Sequence, residues 1–195
     1  MAEVCPYVFR LPVAPLSAAR AEGTTVRVAT IIRAFRALHQ KHELVAVEGV
    51  GGVHVPISSS LNVSDLIYQM KLPAIVIGQS SLGGINHALL TLHALRLRKI
   101  PIVALVLNQH RSLHTKTARV QEQSAMSLLR RLAGVPVVGP LPYSPSVNQN
   151  WNEGLVRLAG TAPITKLARL VLARIIHEGS LRKRADAKRD GHSEA

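Results

Sequence analysis

The stretch LPAIVIGQSSLGGINHALLTLHALRLRKIPIVALVLN, residues 72–108, decides the fold. It opens on an apolar run, Ala74 to Ile77, bounded by Pro73 and Gly78, which is the signature of a short buried strand. A loop of small residues, Gln79 to Gly84, leads into a helical stretch from about Ile85 to Arg98. A second apolar run, Ile102 to Leu107, stops at Asn108. Two strands that are apolar on both faces and joined through a helix predict parallel neighbours in one sheet, because a crossover returns the chain in the same direction.

The same alternation continues on both sides. Towards the C-terminus, a long helix from about Thr115 to Leu132 precedes a strand at Val135 to Val138, followed by Gly139-Pro140-Leu141-Pro142-Tyr143. A last amphipathic helix gathers Ile164, Leu167, Ala168, Val171, Leu172 and Ile175 on one side. Towards the N-terminus, Asn62 or Ser64 caps a short helix through Leu66 and Ile67. Before it, Leu44-Val45-Ala46-Val47 reads as a further buried strand that ends in Glu48-Gly49-Val50-Gly51-Gly52. An earlier helix, capped by Thr24 or Thr25, carries Val28, Ile31, Ile32, Phe35 and Leu38 on one face, and the first 22 residues read as irregular. The expected fold is therefore α/β, a mostly parallel sheet covered by helices on both faces. Residues 1–178 are expected to form one α/β domain, and 179–195 a basic tail without regular structure.

In such sheets ligands bind beyond the C-terminal ends of the strands. That rule selects the loops at 48–52, 79–86, 108–110 and 139–143. Glu48 at a strand end has the chemistry to hold Mg²⁺, and the glycines after it let a phosphate approach the backbone closely; the same residues also make an ordinary tight turn. The loop Ser80 to Gly84 opens a helix, where unpaired amides and the dipole favour an anion, and it also fits a plain helix start. Asn108 either reads a purine edge or simply terminates its strand. His87 and His93, six apart, do not share a helical face, and His110 and His114 fall where helicity is doubtful, so a zinc site is not expected.

Composition narrows the class. With 195 residues and 47% hydrophobic content the chain can fill a core. No apolar run approaches the roughly 20 residues of a membrane helix, and no signal-peptide pattern opens the chain, so it reads as cytosolic. The single cysteine, Cys5, has no internal partner. The net charge is +13, but aromatic residues are only 3%, which leaves few stacking platforms; nucleic-acid binding is not the expectation. None of the seven lysines follows a glycine, so these residues contain no phosphate-binding P-loop. A Gly-x-Ser-x-Gly elbow and a catalytic triad are equally missing from the sequence.

Read in order, several blocks resemble the dethiobiotin synthases. They are Pro6-Tyr7-Val8-Phe9 with Pro12 and Pro15, Val47 to Gly52 followed by Val55-Pro56, Leu72-Pro73, Leu82 to Thr91, Val106 to Asn108, and Val135 to Tyr143. The resemblance implies a P-loop NTPase-like fold, N-terminally truncated, and a homodimeric ATP-dependent ligase of biotin synthesis. Such enzymes take 7,8-diaminopelargonate, CO₂ and MgATP and close a ureido ring. Carried over, Glu48 would ligate Mg²⁺, Gly51 and Gly52 would line the phosphate and carbamate region, and Gly84, Ile85 and Asn86 would hold the diamine's carboxylate tail. Asn108 would recognise adenine, with Pro142 and Tyr143 beside the base. The family's Gly-Lys-Thr loop and its catalytic lysine have no counterpart here, and Ala14 and Leu16 replace the hydroxyl residue and histidine that often flank the proline at position 15. The expectation is half of a split enzyme, or a fragment, that works with a P-loop polypeptide; the alternative is a non-catalytic interaction or regulatory protein on the same fold.

Overall fold

The computed structural model describes residues 3–190, with side chains left aside at 148 and from 177 onward. The chain divides into two compact units, Met1–Pro73 with His93–Pro101, and Ala74–Leu92 with Ile102–Ala195.

The first unit contains α1 (Pro15–Ala21), α2 (Val28–Lys41) and α3 (Val63–Met70). Pro15 opens α1, where its missing N–H costs nothing and its fixed φ suits the first turn. Ala19, Val26, Ile57 and Val63 form the buried cluster, with Tyr7, Phe9, Ile31 and Ile67 among the residues packed on it. The expected cap of α3 is present as a full capping box: the Asp65 amide donates to the Asn62 side chain and the Asn62 amide donates to the Asp65 carboxylate. Asp65 also pairs with Arg98 at 2.7 Å.

Three expectations fail in this unit. The segment Leu44 to Val47 is not a strand, and Leu44 and Val47 are 64% and 45% exposed. A strand exists only through the ladder it makes with a neighbour, and the only β pairing among this unit's described residues is an isolated bridge between Pro56 and Asn62. The second helix starts at Val28 with Arg27 at its N-cap rather than Thr24 or Thr25, and no side chain caps it. The stretch before residue 23 is not wholly irregular, since α1 lies in it.

The second unit carries the sheet: β1 (Ala74–Gln79), β2 (Ile102–Asn108) and β3 (Val137–Leu141), all parallel, in the order β1-β2-β3. Helix α4 (Gly84–Leu97) leaves this unit in its last turn; α5 (Lys116–Leu132), α6 (Pro145–Gln149), α7 (Trp151–Ala159) and α8 (Ala162–Asp190) complete it. The central strand is closed to solvent, with Ala104, Leu105, Val106 and Leu107 all fully buried. On one face Ala104, Val106 and Val138 pack with Leu167 and Leu170 of α8. On the other, Gly78 leaves room for Leu105, Leu107 and Ala88 of α4, which would lie within 4 Å of a Cβ there. Helices therefore cover both faces, as the apolar runs predict.

The edge strand β1 is less complete. Ile75 pairs in register with Ala104 and Ile77 with Val106, so both point to the α8 face, yet Ile77 is 62% exposed. Among the described residues, no strand lies beside the outer edge of β1. β3 begins two residues later than expected and runs on through a cis Gly139–Pro140 bond to Leu141. Two helices, α6 and α7, escape the sequence reading. They pack so closely that a Cβ on Gly154 would come within 2.6 Å of the Val147 backbone. The backbone of α8 is helical to Asp190, taking in residues expected as a structureless tail; its Ala, Arg and Lys content favours helix intrinsically. The rest of that tail, 191–195, lies outside the described residues.

Candidate functional site

The parallel sheet puts the C-terminal ends of its strands side by side: Gln79 pairs with Asn108, and Asn108 with Leu141. From these ends emerge most of the residues marked out by sequence. Asn108 and Tyr143 are exposed, and Pro142 lies between Leu141 and Tyr143 at the end of β3. Beyond β1 the chain turns into α4, where Gly84 is buried, Ile85 half-buried and Asn86 exposed. Gly84 has no room for a side chain: a Cβ would lie 2.1 Å from the Gln79 carbonyl oxygen. Its own amide donates to Ser81 O at 2.9 Å, which closes the turn from which α4 starts. Gly84, Ile85, Asn86, Asn108, Pro142 and Tyr143 thus share one rim of one sheet.

A polar network that the sequence did not disclose holds this rim. Glu122 of α5 is 9% exposed, and its carboxylate accepts from Ser80 Oγ at 2.8 Å and from Gln109 Nε2 at 2.8 and 2.9 Å. The Gln109 Oε1 in turn accepts from the Tyr143 amide at 3.1 Å, and the Gln109 amide donates to Leu141 O at 3.0 Å. One carboxylate therefore ties together the residues that follow β1, β2 and, through Gln109, β3. The signal that could have found it is periodicity: Glu122 stands on the buried stripe of α5 with Ala125, Met126 and Leu129, where an apolar residue belongs. Beside it, Ser80, Ser81, Gln109, His110 and Arg111 line a cleft of about 20 Å³, room for little more than one water.

The other sequence-marked residues belong to the first unit. Glu48 is exposed, as are Gly51 and Gly52. Gly51 has φ +67° and a Cβ there would meet Val55 Cγ2 at 2.9 Å, so the turn needs glycine; Gly52 faces open space. No group of three or more His, Cys, Asp or Glu side chains among the described residues could hold a metal ion. A single exposed carboxylate fits Mg²⁺ only in the manner that ion favours with nucleotides, one protein oxygen alongside waters and phosphate oxygens.

A family model described as an AAA domain matches residues 1–150. Among named proteins, the chain is 44% identical over 106 residues to the ATP-dependent dethiobiotin synthetase BioD of Anaeromyxobacter dehalogenans strain 2CP-C, covering 54% of this chain and 48% of the relative. It is 35% identical over 140 residues to BioD of Bacillus licheniformis, covering 72% and 58%, and 36% identical over 154 residues to BioD of Thermodesulfovibrio yellowstonii, covering 75% and 63%. The chain belongs to this AAA-domain family, and the named relatives it resembles are dethiobiotin synthetases. It spans about half the length of the curated relatives it matches. The P-loop NTPase-like α/β fold agrees with that membership. No helix among the described residues is long and apolar enough to cross a membrane.

Proposed function

We propose that this chain supplies the diamine-binding and adenine-binding part of an ATP-dependent dethiobiotin synthase, and that a P-loop segment joins it to complete the site. The observation that carries the reading is the shared rim: the α4 N-terminus and the ends of β2 and β3 converge on one edge of one sheet. The Gly84 to Asn86 turn offers backbone amides and the Asn86 side chain to the carboxylate tail of 7,8-diaminopelargonate. Asn108 offers an amide to the adenine edge, flanked by Pro142 and Tyr143.

The chemistry follows from that placement. One amine of the diamine adds CO₂ to give a carbamate. The carbamate oxygen attacks the γ-phosphorus of ATP and ADP leaves, which turns a poor electrophile into a mixed anhydride. The second amine then attacks the carbonyl carbon, phosphate departs, and the ureido ring closes. Positioning and charge neutralisation do most of the catalytic work in such transfers. Mg²⁺, when bound, would neutralise phosphate charge, with Glu48 as its protein ligand and Gly51 and Gly52 allowing the phosphates and carbamate to approach the backbone.

The residues present contain no Gly-Lys pair, so the triphosphate cradle must come from elsewhere. The edge of β1, unpaired among the described residues, and the exposed Ile75 and Ile77 support a strand and its following helix as the form in which it arrives. A second copy of the chain is the other partner that the family suggests. The test is the purified chain by itself. It should bind the diamine, with backbone amide shifts concentrated at Gly84 to Asn86, and should neither hydrolyse ATP nor form dethiobiotin. MgATP turnover by the pure chain, abolished by Glu48→Gln, would overturn the proposal; absence of diamine binding would favour a non-catalytic interaction or regulatory protein on the same fold.

A further inference from the structure

We propose that Glu122 is a positioning residue for nucleotide binding: by clamping Gln109 it fixes the places of Asn108 and Tyr143 at the ends of β2 and β3. The inference rests on the assignment of adenine to Asn108, Pro142 and Tyr143 made above, and extends it to a residue that touches neither the base nor the phosphates.

The argument begins with an anomaly of placement. A carboxylate on the buried stripe of a helix is costly to keep there unless its oxygens are satisfied. Glu122 has that satisfaction: both oxygens accept from Gln109 Nε2, and one also accepts from Ser80 Oγ. Among the described residues it is in none of the ion pairs, so its role is to accept hydrogen bonds rather than to neutralise a cation. Because Gln109 Nε2 lies within hydrogen-bond distance of both oxygens of one carboxylate, it is the nitrogen that faces Glu122, and Oε1 is turned away from it. There it accepts the Tyr143 amide. The geometry is directional: swapping the Gln109 nitrogen and oxygen would put two acceptors together at Glu122 and two donors together at Tyr143. The residue on either side of this clamp is one assigned to the base. Asn108 precedes Gln109 directly, and Tyr143 is held by its backbone, which leaves its ring free. Gln109 is engaged by the network at both its nitrogen and its oxygen, whereas Asn108 is exposed at the strand end and is the amide assigned to the base.

The consequence is that base selectivity should depend on a residue in the middle of α5. Three variants of the full chain separate the possibilities. Glu122→Met keeps side-chain length and suits the apolar stripe beside Met126 and Leu129, but cannot accept a hydrogen bond. Glu122→Gln keeps one acceptor for Gln109, and its new amide can donate to the Ser80 hydroxyl, which accepts as well as donates. Asn108→Ala removes the proposed base contact itself. Adenosine and guanosine are titrated separately into each isotope-labelled protein, with binding followed by the backbone amide signals of Asn108 and Tyr143, and urea unfolding is recorded alongside.

The expected result is that Glu122→Met weakens adenosine binding by about tenfold and brings the adenosine-to-guanosine ratio close to that of Asn108→Ala, while Glu122→Gln recovers most of the loss. A merely structural role would lower the unfolding midpoint and leave the ratio of the two nucleosides unchanged; that outcome overturns the proposal. Adenosine binding lost in Asn108→Ala but equal in wild type and Glu122→Met overturns it while leaving the adenine assignment intact. If the wild-type chain binds neither nucleoside, the adenine assignment falls and the role of Glu122 falls with it. Should Glu122→Met fail to fold, Gln109→Leu cuts the same link from the other side and is read by the same ratio.

Discussion

Two glycine-bearing stretches, one that ends β3 and one after Val47, have sharply different support. The stretch Gly139 to Tyr143 completes a paired strand, and its end is held by the Gln109 side chain and amide, which Glu122 braces. The loop Glu48 to Gly52 leaves a segment with no ladder at all, and its carboxylate is exposed. The difference teaches that a strand-end site is only as well formed as the strand behind it. Where β2 lies between two neighbours, the residues at its end are fixed by backbone geometry. Where no neighbour is present, the same kind of residues have correct chemistry and no frame.

That comparison can be broken most severely at Gly139. Its φ is +110° and a Cβ would lie 2.5 Å from the Leu107 carbonyl oxygen. Gly139→Ala should destabilise the second unit by about 3 kcal/mol, read from urea unfolding, because the backbone conformation and the contact both exclude a methyl group. An unchanged midpoint would mean that the β3 loop is not braced as described.

Asn86→Ala comes next, and it acts on binding. Removing one hydrogen bond to a charged carboxylate is worth about 1.5–3 kcal/mol. In the complex reconstituted with a P-loop segment, the apparent KM for the diamine should rise roughly 10- to 150-fold, and the KM for ATP should hardly move. A change in the ATP constant alone would reassign the α4 turn to the nucleotide.

Smaller effects belong to the first unit. Asn62→Ala deletes the capping box of α3 and should cost about 1 kcal/mol, visible as a shifted unfolding midpoint. Gly52→Ala should be nearly neutral, within about 0.5 kcal/mol, since no atom lies within 4 Å of the added carbon and the backbone is ordinary there. Glu48→Gln should likewise leave stability unchanged within about 0.5 kcal/mol while lowering MgATP turnover in the reconstituted complex. If Gly52→Ala destabilises as much as Gly139→Ala, the contrast between the two loops is void.

The same contrast explains which parts of the molecule were legible in the sequence. β1, α4, β2 and α5 were readable within a residue or two because each has a self-contained signal: Pro73 and Gly78 around an apolar run, Thr115 ahead of a long periodic stretch. Leu44 to Val47 carries the same apolar signal and fails, because an apolar run states a preference for burial but not whether a partner strand is there to satisfy it. The helices α6 and α7 have no such signal, because Pro145, Asn150 and Gly154 are residue types common in turns, although here the first two open helices and the third allows close packing. Asn108 and Asn86 could be found as strand-end and helix-start residues. Glu122 could not be connected to Ser80, 42 residues away in sequence, without the fold, although its polarity on an apolar stripe was visible.

The most direct test of the central claim is incorporation of labelled bicarbonate into dethiobiotin. The full chain is mixed with the N-terminal P-loop segment of a full-length relative, together with 7,8-diaminopelargonate and MgATP. The account predicts no labelled product from either polypeptide alone, product from the mixture, and loss of that product when Asn108→Ala or Asn86→Ala is used. Labelled product formed at the same rate by wild type and both variants, or none from any mixture in which the two polypeptides demonstrably associate, would contradict it.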